Sequence, residues 1–193
     1  MQTKEKKKII VCVCGKSGSG KSTLINDVCN VYPMFNVVKS YTTRKPREND
    51  PNDINTHIFY TEEDFESDLK SNLVVAEYHS DKGYTNWITL NSFKDGVNLY
   101  AIDPIACVDF YNKYKDKFKI VVMYNYLNDV KRLERLSKRD NITELPQEDH
   151  LNWTNLKNIP FTSITNGDDR ETNVVDFMEM LTAILVEDYG LDI

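Results

Sequence analysis

Gly15-Lys16-Ser17-Gly18-Ser19-Gly20-Lys21-Ser22-Thr23 fits the pattern G-x-x-x-x-G-K-[ST], whose chemistry is phosphate binding. Glycines at 15, 18 and 20 let backbone N–H groups approach phosphate oxygens with no Cβ in the way. The Ser17 and Ser19 peptides belong to the same cradle, and the Thr23 peptide closes it at the helix start. Lys21 supplies positive charge beside the β- and γ-phosphates, and the Ser22 hydroxyl is a Mg²⁺ ligand. A second group with chemical potential is Ser40-Tyr41-Thr42-Thr43-Arg44-Lys45-Pro46-Arg47. Two guanidinium forks three residues apart suit bidentate phosphate contacts. Alone they would be a solvated turn. Beside a donor-phosphate loop they read as the second phosphate site.

The elements needed to hold the loop are present. Ile9–Cys14 is a short apolar run rich in β-branched residues, the pattern of a buried parallel strand. Residues 22–29 place Leu24, Ile25, Val28 and Cys29 at helical spacing. A helix start also adds partial positive charge to an anion site. Further along, strands are expected at Leu73–Tyr78 and Lys119–Tyr124, and Val97–Asp103 is an apolar run that ends in an acid and is stopped by Pro104. Phe161–Ile164 is the candidate last strand. Thr61 is placed as the N-cap of a helix with an acidic first turn. A charged helix is expected over Asp129–Arg139, with Val130, Leu133 and Leu136 on one side. An amphipathic helix is expected over Asn173–Val186, with Val174, Phe177, Met178, Leu181 and Leu185 inward. Alternating strands and helices indicate an α/β fold with a mainly parallel sheet.

Composition narrows the class. The chain has 193 residues, enough for one well-cored domain, and a formal charge of -6. That charge argues against a general nucleic-acid surface. The absence of any apolar run near 18 residues argues against a membrane span. The Lys4–Lys8 patch reads as a solvated leader. Cys12, Cys14, Cys29 and Cys107 lack metal-site spacing, and Cys12 and Cys14 share one strand face, so a reduced, cytoplasmic protein is expected. No Gly has Asp three residues before it, and Asn112-Lys113-Tyr114-Lys115 lacks the closing Asp, which speaks against a GTPase.

Ser40-x-Thr42-Thr43-Arg44-x-Pro46-Arg47 resembles the acceptor-phosphate motif of guanylate kinases, and His57–Phe65 resembles that family's Y-x-F-[VS]-x-x-E-F segment. The likeness continues through Ala76-Glu77-Tyr78-His79, Ile102-Asp103, the helix ending at Arg139, and Ile164–Asp168. The resemblance implies a P-loop nucleotide kinase fold with a core at 1–35, 91–125 and 161–193. It also implies a nucleoside-monophosphate-binding region near 36–90 and a lid near 126–160. It implies transfer of the ATP γ-phosphoryl group, with Mg²⁺, to GMP, dGMP or a related mononucleotide. Small-molecule nucleotides are then the partners, and the protein is a monomer or homodimer.

The resemblance assigns Arg44 and Arg47 to the acceptor phosphate, Arg139 to the migrating group, and Asp103 to Mg²⁺-bound water or the acceptor nucleoside. Ser40, His57, Glu77, Tyr84 and Thr85 fall at the acceptor, and Asn166 at the adenine pocket. Several have plain structural readings too: a helix-end charge for Arg139, a strand-end carboxylate for Asp103, a loop histidine for His57, a turn residue for Asn166.

Departures gather at the acceptor base. His57 stands where the family has tyrosine. Val74 falls where its guanine-reading glutamate would be, with Glu77 shifted nearby. Gly83-Tyr84-Thr85 inverts Tyr-Gly-Thr, and Ala101-Ile102-Asp103 keeps one acid of two. The second lid arginine has no clear counterpart, with His150 or Lys157 nearest. A guanine without its carboxylate partner leaves donors unpaired, at a cost of about 1–3 kcal/mol. Altered base choice is therefore expected. The competing readings are a non-catalytic interaction module, disfavoured by the intact loop and arginines, and a kinase with a sugar-phosphate acceptor.

Overall fold

The computed structural model describes residues 8–48, 50, 53–80, 82–145 and 156–189. Most of the Lys4–Lys8 patch, and His150 with part of the expected lid, lie outside the described residues. The chain order is β1 (Ile9–Cys14), α1 (Lys21–Val31), β2 (Asn36–Val37), β3 (Ser40–Thr42), α2 (Asp53–Thr56), β4 (His57–Phe59), α3 (Glu62–Lys70), β5 (Val74–Ser80) and β6 (Tyr84–Thr89). There follow β7 (Val97–Ile102), α4 (Pro104–Tyr114), β8 (Lys119–Tyr126), α5 (Asp129–Asp140), β9 (Thr162–Thr165) and α6 (Arg170–Tyr189).

Five strands form a parallel sheet in the order β2-β7-β1-β8-β9. The central strand β1 is buried on both faces, as its unbroken apolar run requires. Its alternation splits the core. Ile9, Val11 and Val13 face α1 and α6, where Leu24, Ile25, Val28, Phe177, Leu181 and Leu185 pack. Ile10, Cys12 and Cys14 face the other way, with Cys107 and Phe110 of α4, and with Val75 and Ile88 of the second sheet. Cys12 and Cys14 thus share a face, as their spacing predicts. All four cysteines are free thiols. Contact with Cys107 and burial push the Cys14 thiol up, and burial pushes Cys29 up to about 11, so these are packing groups rather than thiolates.

The second sheet has the order β4-β3-β6-β5 and is mixed: β3 and β4 run parallel, while β6 runs antiparallel to β3 and β5. Its outer face carries Trp87, which packs on Phe65 of α3 and donates its indole N–H to Asp68 Oδ2 at 2.9 Å. Helix α3 opens with a full capping box between Thr61 and Asp64, which matches the assignment of Thr61 as N-cap.

Two local expectations change. Pro104 does end β7, but it also stands in the first turn of α4, a helix the residue pattern did not announce. Asp103 caps that helix by accepting from the Ile105 amide at 2.8 Å. In α5 the inward residue is not Val130, which is 80% exposed, but Arg132, which is fully buried beside Leu136. Arg132 is kept there by polar partners: its Nε donates to Ser17 O at 3.0 Å and its Nη1 to Asp129 Oδ1 at 2.6 Å.

Chemical denaturation checks this core assignment. Phe177→Ala is expected to cost about 3–5 kcal/mol of unfolding free energy. Val130→Lys is expected to stay within about 0.5 kcal/mol of the parent, despite the apolar residue lost.

Candidate functional site

The loop between β1 and α1 is gripped by its carbonyls. Lys21 Nζ donates to Gly15 O at 2.8 Å and to Lys16 O at 3.2 Å. Arg132 takes Ser17 O. Ser19 O accepts from Asn125 Nδ2 at 3.0 Å and from Asn166 Nδ2 at 2.8 Å. Gly20 caps α1 in the left-handed region at φ 89°, and no side chain caps that end among the described residues. A Cβ on Gly20 would lie 2.6 Å from Asn166 Nδ2, and one on Gly18 would lie 2.8 Å from Leu136 Cγ. The result is a concave set of helix-start amides at a positive dipole end, suited to an anion.

This loop forms one wall of a cleft of about 580 Å³, lined by Gly15, Ser17, Gly18, Gly20, Lys21, Ser22 and Thr23. Across from it stand Arg47, His57, Tyr78, Asn86 and Asp103, and over it Arg135, Arg139 and Asn166. Ser19 is buried beneath, at 1% exposure. The sequence reading missed Arg135. It lies one turn before Arg139 on α5, and that i, i+4 spacing was the available signal. Arg135 Nη2 donates to Gly167 O at 3.0 Å, while Arg139 pairs with Asp140 through Nε at 3.1 Å and Nη2 at 2.7 Å. Lys157 is exposed and does not line the cleft.

At the far wall the two arginines of Thr42-Thr43-Arg44-x-Pro46-Arg47 separate. Arg47 lines the cleft. Arg44 does not: its guanidinium is held bidentately by Asp53, Nη1 donating to Oδ2 at 2.6 Å and Nη2 to Oδ1, and its Cζ lies 5.4 Å from the Phe59 ring centroid. Arg47 gives its amide to the same Oδ2 at 2.9 Å, and its Nη1 reaches Oδ1 at 3.5 Å. His57 Nδ1 lies 3.3 Å from Asp53 Oδ1 and 3.0 Å from Thr56 Oγ1. Burial alone would raise the Asp53 pKa, but contacts from His57, Arg44 and the Arg47 amide hold it far below the usual carboxylate range. Burial and the neighbouring guanidiniums of Arg139 and Arg44 lower the Arg47 pKa.

The β5–β6 pairing sorts the acceptor-base residues by face. Tyr78 sits opposite Asn86, and both line the cleft. Glu77 sits opposite Trp87, and His79 opposite Thr85, so these belong to the outer face. Glu77 borders a recess of about 60 Å³ that also includes Ser40, His57, Asn86 and Asp103. Its carboxylate, however, lies 3.7 Å from His79 Nε2, and strand alternation places that contact outside. Thr85 Oγ1 lies 3.1 Å from His79 Nδ1, also outside. Tyr84 shares the inner face by alternation but is not among the residues lining the cleft. The structure therefore lines the cleft with His57, Arg47 and Asp103, puts Ser40 and Glu77 on the small recess beside it, and leaves Arg44, Tyr84 and Thr85 off both. Asn86 enters in their place, with Oδ1 buried and unpartnered among the described residues. The signal was the period-two pattern: with Trp87 outward, Asn86 had to point inward. Asn166 spends its amide on Ser19 O and accepts from Asn173 Nδ2 at 2.8 Å, a loop-anchoring geometry.

For a divalent cation the donors at hand are the Ser22 hydroxyl and Asp103, whose Oδ1 serves the α4 cap. Among the described residues no cluster of three His, Cys, Asp or Glu side chains forms a cage. One hydroxyl and one carboxylate fit Mg²⁺, which fills its octahedron with phosphate oxygens and water.

Comparison with known proteins places this geometry in a lineage. A scan against protein-family models finds no match. The crystal structure of guanylate kinase from Anaplasma phagocytophilum shares the fold, with a TM-score of 0.62 over 97% of this chain and 98% of that one, at 14% identity. Among curated proteins, the guanylate kinase of Malacoplasma penetrans is 35% identical over 85 residues, 42% of this chain and 43% of the relative. That match spans less than half of the relative's length. The guanylate kinase of Campylobacter jejuni (strain RM1221) is 30% identical over 149 residues, 74% of this chain and 71% of the relative. At 30% identity over more than two thirds of both chains, together with the shared P-loop kinase fold, this longer match shows that the chain belongs to the guanylate kinase family.

Proposed function

We propose that the chain is an ATP-dependent nucleoside monophosphate kinase that phosphorylates GMP, dGMP or a related (deoxy)nucleoside monophosphate. The observation that carries this reading is one cleft with two anion-suited walls, the P-loop on one side and Arg47 with His57 on the other, and Arg139 above both. An acceptor phosphate oxygen attacks the γ-phosphorus, the bond from that phosphorus to the β-bridging oxygen breaks, and ADP leaves. The acceptor oxygen is already largely ionised near neutral pH, so the work is positioning and charge neutralisation rather than proton removal.

Lys21 and the loop amides hold the donor phosphates; Arg47 and His57 hold the acceptor phosphate. Arg135 and Arg139 neutralise charge on the migrating group from α5. Ser22, and Asp103 through water, would hold Mg²⁺, which when bound shields the donor phosphates and favours displacement at phosphorus.

The acceptor base meets Asn86, Tyr78 and Ser40; of the carboxylates bordering the same recess, Asp103 caps α4 and Glu77 turns to His79, so neither stands as a dedicated guanine partner. A carboxamide offers one acceptor and one donor, which suits the N–H/C=O or N–H/N edge of several bases, whereas a carboxylate suits guanine's two adjacent donors. Selectivity for guanine is therefore relaxed.

A coupled ADP-release assay across GMP, dGMP, dTMP, AMP, CMP and ribose 1,5-bisphosphate tests both statements. Turnover with at least two mononucleotides, within about a hundredfold in kcat/KM, is expected. Turnover only with the sugar bisphosphate would overturn the mononucleotide reading, and clear preference for GMP over all others would overturn the relaxed selectivity. In the same assay Lys21→Met should cost about two to three orders of magnitude in kcat, with the far-ultraviolet circular dichroism unchanged.

A further inference from the structure

The sequence pattern singled out two arginines but not the group that joins them. Asp53 is nine residues beyond Arg44, in a polar stretch with no motif of its own. In the fold it is 2% exposed; its two carboxylate oxygens receive Arg44, the Arg47 amide and Arg47 Nη1, and His57 Nδ1 lies 3.3 Å from both its Oδ1 and its main-chain carbonyl. Removing such a carboxylate leaves the buried Arg44 charge without its ion-pair partner and the Arg47 amide without that acceptor.

A buried carboxylate on a phosphate-binding arginine admits two readings. It competes with the acceptor phosphate, or it stands behind the site and aims what the phosphate touches. The geometry separates them. Asp53 and Arg44 do not line the cleft, whereas Arg47 and His57, both tied to Asp53, do. An anion entering the cleft meets Arg47 and His57 first and finds Asp53 behind them. Charge points the same way. The Arg44–Asp53 pair is internally neutral, and Arg139 is paired with Asp140. Without Asp53, the Arg44 guanidinium behind the site would repel that of Arg47 in the cleft wall.

We propose that Asp53 is a positioning residue for the acceptor phosphate: it locks Arg44 behind the site and, through shared hydrogen bonds, aims Arg47 and His57 into the cleft. This rests on the mononucleotide kinase reading. Arg44 then acts through Asp53, and the phosphate contact belongs to Arg47.

The test compares the parent, Asp53→Asn, Arg44→Met and the double variant, with GMP and ATP varied in turn. Asp53→Asn is expected to raise the acceptor KM by at least about tenfold and to leave the ATP KM within about twofold. The double variant should be no worse than the worse single variant, because both changes break one unit. An unchanged acceptor KM overturns the proposal. A lowered one does too, because it means the carboxylate competes with phosphate. So does full additivity of the two changes.

Calorimetric titration of GMP into the parent and Asp53→Asn, with no ATP, reads the same site without turnover: weaker binding is expected, and equal or tighter binding overturns the proposal. Absence of acceptor-dependent turnover by the parent sinks the kinase reading instead, and the titration still decides Asp53. If Asp53→Asn does not fold, judged by circular dichroism, Arg44→Lys carries the test. It keeps the charge but loses the fork, and it must weaken GMP binding; unchanged binding overturns the proposal.

Discussion

A peptide plane carries its C=O and N–H on opposite sides, so tying down a carbonyl decides where the adjacent amide points. The loop from Gly15 to Gly20 depends on that constraint. Its carbonyls at Gly15, Lys16, Ser17 and Ser19 are taken by Lys21, Arg132, Asn125 and Asn166, side chains from α1, α5, β8 and the turn after β9. With the carbonyls held outward, the loop amides other than that of Ser19, which donates to Lys16 O at 3.2 Å, are turned toward an anion at the start of α1. The same bonds explain why Arg132 is buried and why Asn166 sits so close to Gly20 that no Cβ fits there. They also fasten α5, which carries Arg135 and Arg139, directly to the loop. Leu136 against Gly18 adds an apolar contact at the same joint.

The opposite wall follows different physics. It has no helix dipole to draw on and uses clustered guanidiniums, which repel each other and lose hydration when buried. Aspartates compensate: Asp53 serves Arg44, Arg47 and His57, and Asp140 serves Arg139. The second sheet supports this wall. Its inner face reaches the even-numbered side of β1 through Val75 and Ile88, and its outer face is closed by Trp87 and α3. The two walls are thus coupled through one apolar layer, with Asp103 at the seam where β7 ends and α4 begins.

Much of this was legible in the residues. The run Ile9–Cys14, the glycines with Lys21, the Thr61 N-cap and the apolar stripe of α6 are local patterns. Local sterics, dipoles and periodicity act on neighbouring residues in the chain, so spacing reveals them. Misplaced expectations share another cause. Val130 is apolar and Arg132 charged, so helical periodicity put the wrong one inside; a carbonyl 115 residues away reverses the preference. Glu77 and Thr85 were drawn toward the acceptor by chemical type, but a strand assigns side chains by parity, and Trp87 set that parity when it packed on α3.

The sequence by itself determined the α/β class, the anion-suited loop from Gly15 to Thr23 and the presence of a second phosphate-suited cluster. These follow from residue type and short spacing. Tertiary structure decided which members of that cluster face the cleft: Arg47 rather than Arg44, Asn86 rather than Glu77 or Thr85, and Arg135 beside Arg139. Those choices depend on strand register, on a buried carboxylate nine residues from its arginine, and on how α5 docks against the loop. Each is a long-range packing or pairing term, fixed only when distant segments of the chain meet.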